Sequence, residues 1–201
     1  MKKILLALVI LLLAVQAQAQ ISTTDNLKFG LRAGLNITNL SNDQNVLDSD
    51  AGVGTEFGIF GRIGGDRFYV QPGLDYVTHK VHAITTMQPR QGERDAIAVR
   101  LLRVPVLVGY RTRPGFGFIT NKRFMAGPSI GFNVGVADNN LDVRWRNVNT
   151  FHYGLNAGAG IDFARIFSLD LMYHHGFNNV LDYNTSKGKF RTLSLGLGVS
   201  I

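Results

Sequence analysis

A two-residue period that persists over long segments constrains this chain more than any other feature. From Leu27 to Ile37, Leu27, Phe29, Leu31, Ala33, Leu35 and Ile37 alternate with Lys28, Gly30, Arg32, Gly34 and Asn36. Phe151 to Phe163 repeats the pattern, with Phe151, Tyr153, Leu155, Ala157, Ala159, Ile161 and Phe163 set against His152, Gly154, Asn156, Gly158, Gly160 and Asp162. The final stretch does so again: Leu193, Leu195, Leu197, Val199 and Ile201 alternate with Thr192, Ser194, Gly196, Gly198 and Ser200. Successive side chains leave a strand on opposite sides, so this period belongs to strands with one apolar and one polar face.

Five further segments carry the pattern with more interruption. Val53–Ile63 sets Phe57, Ile59 and Ile63 against Glu56, Gly58 and Arg62, with Phe60 and Gly61 breaking it. Arg67–Thr78, Ile97–Arg111, Arg123–Val134 and Ile166–Phe177 complete the set. The result is eight strands of roughly 10–15 residues. Globular strands are usually nearer five or six; a tilted bilayer-spanning strand needs about 9–11. The expected fold is therefore all-β, an eight-stranded antiparallel up-and-down transmembrane β-barrel over residues 20–201. Long connections at Thr38–Ala51, Lys80–Asp95, Val136–Thr150 and Asn178–Lys189 alternate with short ones at Gly64–Asp66, Thr112–Lys122 and Ala164–Arg165. Outer-membrane barrels have short periplasmic turns and longer external loops, and an even strand number leaves both termini in the periplasm.

The first residues read as an address. Lys2 and Lys3 precede an apolar run from Ile4 to Val15, and Ala17-Gln18-Ala19 is a cleavage site of small residues. Residues 1–19 are expected to be a signal peptide cut between Ala19 and Gln20. The chain contains no Cys, which excludes a disulfide scaffold, a thiol nucleophile and a Cys-based metal site.

The polar face predicts a filled lumen. Gly is abundant, at 23 residues, and charged residues make up only 17% of the chain. Eight strands enclose just enough room for side chains, and small residues on the inner face make space for long ones. Arg32, Arg62, Arg103, Arg111 and Arg123 would point inward with Glu56, Asp75, Asp162 and Asp170. A buried charge must be paired or hydrogen-bonded, so these nine residues are expected to form an interior charge network with no open pore.

Five strand segments, in order, carry a family resemblance. Val70-Gln71-Pro72-Gly73-Leu74-Asp75-Tyr76, Leu102-Arg103-Val104-Pro105-Val106-Leu107-Val108-Gly109-Tyr110, Ala126-Gly127-Pro128, Gly158-Ala159-Gly160-Ile161-Asp162 and Tyr173-His174-His175-Gly176-Phe177-Asn178-Asn179-Val180 resemble the strands of the PorT-like outer-membrane β-barrels. The resemblance runs from about Leu27 to Ile201. It implies an eight-stranded barrel in the outer membrane of a diderm bacterium, inserted by the barrel-assembly machinery. It implies little chemistry; the family takes its name from a member tied to protein secretion.

Candidate chemical constellations are few. His174 should face the lumen and His175 the lipid or rim, so a regular strand cannot bring both to one metal ion; His79 and His82 flank the second long loop. A lipid-modifying enzyme would need a His/Ser pair on the outer wall, but Ser168 and Ser194, the nearest partners of His175, both fall on the polar face. Gly158-Ala159-Gly160 lies within a strand and opens no helix, so it is no dinucleotide loop. No cofactor or metal is expected. The net charge of +7 does not point to nucleic acid, because the basic residues divide between lumen and loops. Lys80, Arg90, Arg94, Arg144, Arg146, Lys187 and Lys189 suit the phosphates of lipopolysaccharide, with Arg144, Trp145 and Arg146 as a loop contact.

The expected function is that of an integral outer-membrane barrel with a structural, adhesive or secretion-accessory role through its external loops. Two alternatives remain at this level. Alternation does not say which face is inside, and a soluble exported barrel holding an apolar ligand, as lipocalins do, has the opposite polarity. The other alternative is a lipid-modifying barrel enzyme. Oligomeric state and physiological partner are not encoded in any motif.

Overall fold

The computed structural model describes residues 27–42, 47–65, 67–85, 94–112, 119–136, 150–164, 166–178, 181–183 and 186–201. They form nine strands: β1 (Leu27–Asn42), β2 (Leu47–Gly64), β3 (Phe68–Thr85), β4 (Arg94–Arg111), β5 (Ile119–Val136), β6 (Phe151–Phe163), β7 (Phe167–Gly176), β8 (Leu181–Tyr183) and β9 (Ser186–Ser200). Neighbours in sequence pair antiparallel from β1 to β7, β9 pairs with β7, and β9 pairs with β1 to close the wall. The closing ladder runs from Gly30↔Ser200 to Asn42↔Gly188. Eight strands make the barrel. The ninth, β8, pairs only with the start of β9 and forms a small hairpin there.

Several strands reach beyond the alternating segments. The stretch 38–51, which reads as a long loop, is largely ladder: β1 continues to Asn42 and β2 begins at Leu47. β3 likewise runs to Thr85 and β4 starts at Arg94. Hydrophobic alternation records where one face meets an apolar medium. Past that band the backbone keeps pairing while the sequence loses its period, so the pattern understates strand length. Register shifts lie between Ala51 and Thr55 and between Arg100 and Leu101, near this loop end, where bulges re-aim extended wall strands.

The polarity is inverted relative to a soluble domain. Among the described residues, thirty-two large apolar or aromatic side chains are 37–66% exposed on the outer wall. On β9, Leu195 and Leu197 are 55% and 60% exposed, whereas Thr192 and Ser194 are buried. Soluble monomers rarely show contiguous apolar patches beyond a few hundred Å², and here the apolar face wraps the whole circumference. This arrangement is the reverse of what an apolar-ligand carrier requires, so the lipocalin-like alternative is discarded.

Phe60 and Gly61 do not break the alternation of β2. Phe60 is buried inside the barrel, and Gly61 faces outward against the Phe29 ring. An apolar residue in an inward slot looks like a break when polarity alone is read. Its neighbour Gly30 supplies the room, since a Cβ there would collide with the Phe60 ring. Gly109 does the same for inward-facing Tyr69, whose ring occupies the place of a Gly109 side chain. Gly109→Val should therefore cost about 1–3 kcal/mol by overpacking, seen as a lower urea midpoint for loss of the compact, heat-modifiable band on gels. Gly65→Ala, with nothing within 4 Å of its new Cβ, should leave that midpoint unchanged.

Candidate functional site

Among the described residues, the charged side chains converge chiefly in the lumen, and register explains how they meet. Arg32 on β1, Gly58 on β2 and Asp75 on β3 lie in line across three adjacent strands. Gly58 has no side chain to intervene; a Cβ there would strike the Asp75 carboxylate. Arg32 thus reaches over β2 and grips Asp75 with both Nε (2.7 Å) and an Nη nitrogen (2.6 Å). The same device recurs on the other side of the barrel. Arg123 on β5, Gly160 on β6 and Asp170 on β7 are in line, and Arg123 donates to Asp170 Oδ1 across Gly160 at 2.7 Å. Two-point and buried charge-assisted contacts of this kind are the strongest hydrogen bonds available to a protein.

These pairs extend into layers. Near the middle of the barrel, Arg103 on β4 bonds Glu56 at 3.1 Å and Asp75 at 3.4 Å, and Ser194 on β9 donates to Glu56 at 3.0 Å. That layer ties β1, β2, β3, β4 and β9 together. Towards the short-turn end, fully buried Arg123 also lies 2.8 Å from Asp162. Arg62 donates to Gln71 at 3.0 Å and approaches Asp162 at 3.8 Å. Its guanidinium sits 5.3 Å from the Phe60 ring and 5.1 Å from the Tyr69 ring, within cation–π range. Arg111 lies over Tyr69 at 4.8 Å. Eight of the nine residues read as an inner charge network from sequence thus make ion pairs with one another. Arg111 is the exception among them; the Tyr69 face is its neighbour.

A third layer, towards the loop end, is built from neutral polar groups and imidazoles. Thr38 bonds His79 Nδ1 at 2.7 Å and Thr192 at 3.1 Å. His174 Nδ1 meets Asn156 at 3.0 Å. Phe190 packs on His79 with ring centroids 4.6 Å apart and lies 6.2 Å from His152. His79 is therefore a buried luminal residue, and not one that flanks a loop in solvent; β3 simply continues past it. The His82 side chain lies outside the described residues. His79, Arg103, Ser129, His152 and His174 line a small cavity of about 20 Å³ that is partly open to solvent. A second small cavity, also of about 20 Å³, lies below it and shares Arg103 and His174. Among the described residues no group of three His, Cys, Asp or Glu is arranged to hold a metal ion.

The outer wall presents a different set. His175 faces outward between the rings of Tyr173 and Phe177, with Tyr173 Oη 3.4 Å from its Nδ1. Ser168 and Ser194 are buried on the luminal side, so no His/Ser pair of the kind a wall-mounted lipid enzyme uses is assembled from them. Rings at Phe132, Phe151, Tyr153 and Phe177 form a chain of contacts across β5 to β7, with centroids 5.6 to 6.2 Å apart. Aromatic girdles of outer-membrane barrels sit at the membrane interface. Arg144, Trp145 and Arg146, and the cleavage residues Ala19 and Gln20, lie outside the described residues.

A family model described as an outer membrane protein beta-barrel domain matches residues 16–182. Among solved structures, the outer membrane protein OprG from Pseudomonas aeruginosa superposes with a TM-score of 0.53 at 12% identity, covering 87% of this chain and 95% of that one. The attachment invasion locus protein Ail of Yersinia pestis, in complex with the heparin analogue sucrose octasulfate, gives 0.48 at 14% identity, covering 88% and 99%. Neisserial surface protein A gives 0.47 at 14% identity, covering 85% and 96%. No curated protein sequence matches the chain.

Removing Arg123 takes from Asp170 its ion-pair partner and from Asp162 the shorter of its contacts, leaving Arg62 at 3.8 Å. Arg123→Met exposes Asp162 and Asp170 to an apolar neighbour and should lower unfolding stability by about 3–5 kcal/mol. Urea titration followed by circular dichroism in a detergent or lipid host measures it. A midpoint equal to wild type would mean that the pairs are not formed.

Proposed function

The chain belongs to the family of outer membrane protein β-barrel domains, and we propose that it is a closed membrane anchor that acts through the loops at one end. On this reading residues 1–19 are a cleaved export signal, and the termini and short turns lie in the periplasm. The long connections lie outside the cell. The barrel is of the PorT-like kind, with a structural, adhesive or secretion-accessory role.

The observation that carries this reading is the filled lumen. Arg32, Arg103 and Arg123 are locked into ion pairs that cross the interior, and Phe60, Tyr69 and Leu107 fill the remaining width. A transport pore would need a continuous wet passage, and moving these buried pairs aside is costly. What the barrel can offer is a rigid base from which strands project beyond the apolar band. β1 to β5, at 16–18 residues each, exceed the roughly 9–11 that a bilayer requires. The basic residues of the loop end, Lys80, Arg90, Arg94, Arg144, Arg146, Lys187 and Lys189, suit the phosphates of lipopolysaccharide, and Trp145 between two arginines suits a contact with a surface or secretion-system protein.

Two measurements test the proposal. In planar bilayers the purified protein should give no large, stable conductance; steps like those of a general porin would contradict a filled lumen. Cells displaying the triple variant Arg144→Ala, Trp145→Ala and Arg146→Ala should retain a normal folded barrel on gels. Their attachment to host-surface or matrix preparations, or their export of secreted cargo, should fall at least about fivefold. Unchanged attachment and unchanged export together would remove this loop from the account.

A further inference from the structure

The outward residues of β9 change character once along the strand. Lys189 and Arg191 come first, and Leu193, Leu195, Leu197, Val199 and Ile201 follow. The aliphatic part covers eight residue steps, roughly 27 Å of strand at ~3.4 Å per residue. With a tilt near 40° this is about 20 Å of height, close to the ~25 Å apolar band of such barrels. Arg191 therefore sits at the boundary where lipid phosphates lie.

Its neighbours in the sheet complete a patch. Arg191 is in register with His175 on β7 and Asn39 on β1. Lys189 is two residues along the same face, about 7 Å away. The His175 ring is held from below by Tyr173 and from the side by Phe177. His175, Lys189 and Arg191 thus lie side by side on one outward face of two paired strands. Charge complementarity points the same way. Glu56, Asp75, Asp162 and Asp170 are all turned to the lumen and already engaged there, so none of these four carboxylates neutralises the patch. Below the patch the wall is shaped for chains. Ala33 on β1 lies between Leu197 on β9 and Phe57 on β2 in register. Its small side chain leaves a shallow slot between two exposed large ones.

We propose that His175, Lys189 and Arg191 bind the phosphate of an outer-leaflet glycolipid, with its acyl chains lying over Leu193, Leu195 and the Ala33 slot. The inference rests on the reading that puts the loop end outside the cell. It goes further than interfacial anchoring, in which any Lys or Arg at a membrane boundary takes any anionic headgroup. The site is one sector of the wall and its ligand is a phosphorylated glycolipid.

Native mass spectrometry of the purified full-length barrel tests it with three probes: bis-phosphorylated hexa-acyl lipid A, the same lipid enzymatically dephosphorylated, and phosphatidylglycerol. The wild type should retain phosphorylated lipid A through detergent exchange and release the other two. The double variant Lys189→Ala, Arg191→Ala should retain at least about tenfold less, and His175→Ala should lose a smaller share. All of these residues are at the wall surface, and heat-modifiable gel mobility verifies folding of each variant. Arg100→Ala, on β4 half-way round the barrel, should retain lipid A as the wild type does. Equal retention by wild type and the β9 variant would overturn the proposal. So would equal retention of phosphatidylglycerol or of dephosphorylated lipid A, or an equal loss in the β4 variant. Protease cleavage within 86–93 on intact cells checks the parent reading separately. Cleavage without lipid retention sinks the lipid site alone, and protection of that loop sinks the orientation on which it rests.

Discussion

Backbone polar groups in a hydrocarbon medium have no water to bond, and each one left unpaired costs several kcal/mol. A sheet that lies in such a medium can have no edges. The pairing of β1 with β9 is therefore the contact from which the other features follow. Its ladder of thirteen registered residues, from Gly30↔Ser200 to Asn42↔Gly188, turns an open meander into a closed wall. Closure fixes an inside and an outside, and the alternation of each strand then sorts side chains between lumen and lipid. It also removes the need for disulfide staples in a Cys-free chain.

A narrow lumen creates the second problem, which is charge. Five arginines and four carboxylates share a space with little water, and each must find a partner or lose its solvation with nothing in return. The solution is geometric. Partners are placed two strands apart with a glycine on the strand between them, as in Arg32–Gly58–Asp75 and Arg123–Gly160–Asp170. The long arginine stem lies across the bare backbone, and the guanidinium arrives where the next strand presents its carboxylate. Each such pair laces three strands together, so the network stabilises closure as well as neutralising charge. Rings take up the remainder: Arg62 stacks near both Phe60 and Tyr69, and Arg111 also lies over Tyr69.

Much of this was legible in the sequence, for a physical reason. The period-two pattern of Leu27–Ile37 or Leu193–Ile201 is a direct imprint of two media on two faces, so strand number, closure and the inward set of nine charges follow from it. Other features did not. The outer parts of β1 and β2, Thr38–Asn42 and Leu47–Ala51, carry no apolar alternation in sequence although their backbones pair. Phe60 looked like a fault because its partner is a cation–π contact, which polarity does not encode. The identity of ion-pair partners depends on register: Arg32 and Asp75 are forty-three residues apart, and only the stagger of three strands reveals the glycine between them. His79 was misread as a loop neighbour for the same reason as Thr38, since its strand outlasts its period. The wall patch at His175, Lys189 and Arg191 was visible only in part, because Lys189 counted as one basic residue of a loop until register set it beside the others.

The central claim is that this wall faces lipid with its apolar set and the lumen with its polar set. Because the chain has no native Cys, single Cys residues can be introduced in turn at positions 193–200 of β9 and spin-labelled in reconstituted bilayers. The account predicts a two-residue period in collision accessibility. Labels at 193, 195, 197 and 199 should be accessible to oxygen dissolved in the lipid, and those at 194, 196, 198 and 200 should be shielded from it. A period of opposite phase, or odd-numbered labels reached by a water-soluble nickel complex instead of oxygen, would contradict it.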